Sequence, residues 1–124
     1  MRTEIVFIRG PIAIRPHDLP SREVGACVEF QGIVRELENG QLLEGLHYES
    51  YESMASRQLE RIFEKLGREH CCLEVMFVHR LGWVPVGEAS LFLRVVAKHR
   101  GEALAFCSAA IDWMKRDVPI WKRA

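Results

Sequence analysis

The pattern of apolar and polar positions switches between two periods along the chain. TEIVFIR, from Thr3 to Arg9, has the β-branched and aromatic content of a strand, and the prolines between Pro11 and Pro20 then impose a loop with one short helical turn. After Gly25, ACVEFQGIVR alternates as a strand running to Arg35, ELENG supplies turn chemistry, and QLLEGLHYESY is expected as the returning strand of a hairpin. The period changes at Ser53. Ala55, Leu59, Ile62, Phe63 and Leu66 recur at helical spacing, with Gly67 as the expected stop and Arg57, Glu60, Arg61 and Glu64 on a solvated face. CLEVMFVHRLG and EASLFLRVVAK return to strand character and are joined across WVPVG, where Pro85 and Gly87 mark a bend. Ala103, Phe106, Cys107, Ala110, Ile111 and Met114 then draw the buried stripe of a second helix, from about Arg100 to Asp117. This order predicts an α+β sandwich in which two main helices pack on a mixed or antiparallel sheet.

Composition narrows the classes. With 124 residues, 48% of them apolar, the chain can build one core without disulfide or metal staples, so a single domain over residues 1–124 is expected. Seventeen basic residues balance seventeen acidic ones, which argues against a nucleic-acid binder and confines any anion site to a local cluster. The apolar run in MRTEIVFIRG is cut by Arg9 and is too short for a signal segment, and no later stretch approaches a membrane span, so a soluble cytoplasmic protein is expected. Cys27, Cys71, Cys72 and Cys107 contain no C-x-x-C pair. They are expected to be small buried or half-buried hydrophobes, with no metal and no cofactor.

The final residues, MKRDVPIWKRA, pose the sharpest question. Pro119 cannot continue the helix and biases Val118 toward extended geometry, so residues 118–122 are expected as a strand-like tail. In such a tail Trp121 points opposite to Ile120 and Lys122. Burial of Trp121 would pin the segment and aim Lys122 at the same site as Lys115, although lysines here also suit a helix C-terminus or simple solvation. Lys98, His99 and Arg100 precede the amide-rich start of the second helix, which suits either an anion or an ordinary basic turn. His79, inside an apparent strand, is expected to be a hydrogen-bonded structural histidine.

FQGIVR, LHYESYESMASRQL, VHRLGWVPVGE, AKHRGEAL and AIDWMKRDVPIWKR occur in the same order and relative placement as in the large catalytic subunit of molybdopterin synthase, and the chain resembles that family from Gly25 to Arg123. The resemblance implies an α/β hammerhead-type fold with an added β subdomain. It also implies an enzyme that converts cyclic pyranopterin monophosphate, a pterin phosphate, into molybdopterin. The sulfur would come from the C-terminal Gly-Gly thiocarboxylate of a small ubiquitin-like carrier subunit, with two large subunits forming a homodimer inside a heterotetramer. Carried onto this chain, the family's two active-site lysines are Lys115 and Lys122. Arg35 is its pocket arginine, with Ile33 and Val34 on the same wall; His99 and Arg100 bind substrate across the dimer interface, and Arg123 follows Lys122 as in the family. The pattern departs at one position, where family members carry an acidic residue after W-K-R and this chain has Ala124.

Two other classes fit the residues alone. One is a noncatalytic module that holds a phosphorylated ligand or a partner tail with Arg35, His99 and Arg100. The other is a Schiff-base enzyme that uses a lysine on a carbonyl substrate.

Overall fold

The computed structural model describes residues 1–14 and 18–124; the expected loop from Pro11 to Pro20 therefore lies partly outside the described residues. Strand β1 spans Arg2–Ile8 and β2 Ala26–Ile33; a short hairpin of β3 (Leu37–Glu38) and β4 (Gln41–Leu42) precedes β5 (Gly45–Ser50) and helix α1 (Glu52–His70). Then come β6 (Cys72–Arg80), β7 (Gly82–Pro85), β8 (Ala89–Ala97), helix α2 (Arg100–Asp117) and β9 (Ile120–Arg123). The main sheet has the order β1-β6-β8-β2, with β1 parallel to β6 and the other pairs antiparallel. The expected α+β arrangement is present: two helices pack on one face of a mixed sheet. A three-stranded antiparallel sheet, β7-β5-β9, and the β3–β4 hairpin supply the additional β structure.

The main core lies between the helices and the sheet. Leu59 and Phe63 of α1 and Phe106 of α2 are fully buried against Phe77, Leu93 and Val95 of the strands. Phe63 stands 5.9 Å from both Phe77 and Phe106, a spacing at which aromatic pairs add to simple burial. Val34, Leu46 and Val84 form a separate small cluster between β2 and the three-stranded sheet.

Four local expectations change. Strand β2 stops at Ile33 rather than Arg35, because Val34 hydrogen-bonds the turn before β8: its N–H donates to Glu88 O, and its carbonyl accepts from Gly87 N–H. Residues 41–51 do not return along β2. Asn39 and Gly40 both have positive φ (51° and 79°), closing a local two-residue turn between β3 and β4, and β5 departs to the other sheet. The strand expected over residues 72–82 breaks after Arg80, and Gly82, at φ 85°, starts β7 in the second sheet. Finally, α1 continues past Gly67 to His70 and ends at Cys71 in the left-handed region. A Cβ on Gly67 would lie 2.7 Å from Met1 Cε, so this glycine makes room for the N-terminal side chain rather than stopping the helix.

Candidate active site

Helix α2 ends where Pro119 requires it. Val118 adopts extended geometry while its N–H still donates to Met114 O, and β9 begins two residues later. The register pairs Ile120 with Ser50, Trp121 with Glu49, Lys122 with Tyr48 and Arg123 with His47. Ser50 Oγ donates to Pro119 O at 3.0 Å, and Ile120 packs against the main core. The strand-like tail is thus present, but Trp121 does not pin it. Trp121 remains 48% exposed and packs in a T-shaped pair with the exposed Tyr51 ring, centroids 4.8 Å apart. The backbone ladder to β5 holds the tail in place, whereas the face of the sheet that Trp121 takes offers it no core to enter.

This arrangement opens a cavity of about 690 Å³ at the end of the main sheet. Its wall includes Ile33 from the end of β2, Arg35 just beyond it, Lys115 from the last turn of α2 and Lys122 from β9. Tyr48, His79, Ser90 and Met114 complete much of the remainder. Three cations from three separate segments therefore share one cavity that is large enough for a small-molecule ligand. Lys122 also borders a smaller hollow on the hairpin side, where its Nζ lies 2.5 Å from Glu38 Oε1.

The other expected site residues lie elsewhere. Val34 is buried in the Leu46–Val84 cluster and backs the wall rather than lining it. Arg123 is exposed, paired with Glu49 at 3.2 Å, and borders the smaller hollow. His99 and Arg100 are exposed at the start of α2. Arg100 and Lys115 are fifteen residues apart on one helix. At ~1.5 Å rise per residue that is about 22 Å, too far for both to meet one small ligand within a single chain. Among the described residues, no group of three or more His, Cys, Asp or Glu side chains is placed to hold a metal ion, and no helix is long and apolar enough to cross a membrane. Cys72 and Cys107 are buried, as expected, but Cys27 and Cys71 are exposed: Cys71 caps α1, and neither lines the cavity.

His79 is hydrogen-bonded, as expected, with Nδ1 2.9 Å from Arg80 O. It is also a wall residue, which sequence reasoning missed. The available signal was the alternation in β6, which sends Val75, Phe77 and His79 to one side of the sheet. Desolvation by burial drives its imidazole pKa down to about 4, so the ring is neutral over the physiological range. Its neighbour Arg80 is also buried and pairs with Glu88 at 2.7 Å.

Comparison with known proteins places this geometry in context. Residues 11–117 match the family described as MoaE protein. The chain is 40% identical over 99 residues to a rice (Oryza sativa subsp. indica) protein named molybdopterin synthase catalytic subunit; the match covers 80% of this chain, which spans about half (51%) of that relative's length. Among solved structures, molybdopterin synthase from Staphylococcus aureus superposes with a TM-score of 0.82 at 30% identity, covering 94% of this chain and 86% of that one. The complex of subunits 1 and 2 of molybdopterin-converting factor from Helicobacter pylori superposes at 0.73 with 26% identity, covering 97% and 82%.

Proposed function

The chain belongs to the MoaE protein family, and from that premise we propose that it works as a molybdopterin synthase catalytic subunit. In this reading the roughly 690 Å³ cavity holds cyclic pyranopterin monophosphate and receives the C-terminal thiocarboxylate of a small ubiquitin-like carrier. The convergence of Arg35, Lys115 and Lys122 on that cavity is the observation that carries the proposal. Arg35 presents the planar fork that grips a phosphate in bidentate fashion. Lys115 and Lys122 are the catalytic pair. They move protons while the carrier's sulfur bonds to the pterin side chain, and again while water cleaves the acyl link that briefly joins carrier and substrate. Ile33 lines the wall beside Arg35 with Val34 behind it, and Arg123, paired with Glu49, flanks Lys122 on β9.

His99 and Arg100, about 22 Å along α2 from Lys115 in their own chain, would serve the cavity of a second copy, in a homodimer that carries one small subunit at each end. The chain would act as one domain over residues 1–124, in the cytoplasm. Reconstitution tests the whole reading. Chain, substrate and thiocarboxylated carrier, mixed and quenched early, should yield a carrier–substrate adduct by mass spectrometry and later molybdopterin. Equal product from free sulfide, with no gain from the carrier, would remove the delivery mechanism.

A further inference from the structure

The three cations of the cavity can only donate hydrogen bonds, and His79 offers the opposite chemistry. The residue is only 4% exposed, yet it forms part of the cavity wall. Nδ1 lies 2.9 Å from the backbone carbonyl of Arg80, and a carbonyl can only accept, so the ring proton sits on Nδ1. In the neutral ring Nε2 then carries a lone pair. The ring is also held in place, with the Tyr48, Phe77 and Phe7 rings centred 5.1, 6.1 and 6.5 Å away. Such packing fixes the direction of the lone pair as well as its existence, which is the condition for a polar group to read a ligand rather than merely tolerate it.

We propose that His79 Nε2 is a fixed acceptor in the cavity wall for an N–H or O–H donor on the heterocycle of the bound ligand, and that it selects pterin phosphates over phosphate esters lacking such a donor. The proposal rests on the pterin reading given above and adds a specificity-determining residue to it. A pterin carries ring N–H and amino donors away from its phosphate, so one molecule can satisfy the cations at one end and the imidazole at the other. Neutrality is what makes this work, because a protonated ring would present a second donor to a donor; the imidazole's depressed pKa of about 4 keeps it neutral at working pH. The same logic makes rejection strong. A ligand without the donor displaces water from Nε2 and leaves its lone pair unpartnered.

The test measures calorimetric affinity of the full chain for neopterin monophosphate and for phenyl phosphate, whose ring carries no N–H or O–H donor, in wild type, His79→Phe, His79→Gln and Arg35→Ala. His79→Phe should weaken the pterin ester roughly tenfold or more while changing phenyl phosphate by less than about twofold. His79→Gln, whose side-chain carbonyl can accept, should recover part of the loss, and Arg35→Ala should weaken both probes. If His79→Phe does not fold, His79→Met replaces it with the same expected selectivity. Equal losses on both probes, or none on either, would overturn the role of His79 and leave the pterin reading standing. Failure of the wild-type chain to bind the pterin ester would overturn both.

Discussion

Acidification should destabilise the protein through one buried ring. His79 titrates near 4 in the folded protein because burial disfavours its charged form, against about 6.5 in an unfolded chain. Between those values the unfolded state binds the extra proton and the folded state does not, so stability falls as pH is lowered. Above about pH 6.5 both states are neutral and the effect vanishes; below about 4 both are protonated and it saturates. A difference of about 2.5 units at ~1.36 kcal/mol each gives a loss of about 3 kcal/mol, roughly two-thirds of it already present at pH 5. His79 is 4% exposed, so little solvent screening reduces this figure. Arg35, Lys115 and Lys122 share the cavity and would not welcome another positive charge, but the shift itself arises from desolvation. Urea unfolding followed by tryptophan fluorescence at pH 7, 6, 5 and 4.5 would measure the effect in wild type and His79→Phe. The substitution should lower stability at pH 7 but flatten the slope below 6.5. Parallel curves for the two proteins across that window would refute the assignment of a buried neutral imidazole.

Lys115→Ala and Lys122→Ala should each slow single-turnover sulfur transfer by roughly 10²-fold or more, the scale expected for a lost acid–base group, without unfolding the chain. Near-normal rates in both would end the catalytic assignment. Arg35→Ala and Arg100→Ala, each inactive alone, should recover about a quarter of wild-type turnover when unfolded and refolded together, because random pairing leaves one intact shared site in half of the dimers. No recovery would place Arg100 outside the partner copy's site. Gly25→Ala should destabilise by about 1–3 kcal/mol, the overpacking range, seen as a lower melting temperature. Its Cβ would lie 2.1 Å from the backbone carbonyl of Lys98, which the chain cannot move without breaking the Gly25 N–H bond to Ala97 O.

Legibility followed locality. Both helices could be read from their apolar spacing, since Leu59, Phe63, Phe106 and Met114 lie on stripes that the core then buries. The main sheet strands could be read for the same reason. What could not be read was which strands share a sheet. Gly82 looks like the end of one long strand, and only its φ of 85° diverts the chain into a second sheet. The run expected as one returning strand over residues 41–51 splits into β4, which closes a tight local hairpin across Asn39–Gly40, and a separate strand, β5. Alternation is the same whichever neighbour a strand chooses, so periodicity cannot choose it.

The tail shows how that limit reaches the candidate site. Lys115 and Lys122 were visible as chemistry, and Pro119 was visible as the break between them, but the means of holding Lys122 was not. Burial of Trp121 was the available explanation because local sequence offers only side chains to reason with. The structure instead uses a ladder to β5, with Tyr48 opposite Lys122, a pairing across more than seventy residues. A ladder constrains backbone direction at every residue, while one buried ring would leave the segment free to pivot about it. Sheet alternation then puts Ile120 on the main core and Lys122 on the cavity wall, and sends Trp121 to the other face. The two lysines thus hang from supports with separate origins, one set by helix packing and the other by strand pairing. That separation lets two ammonium groups approach one cavity although no single element carries both toward it.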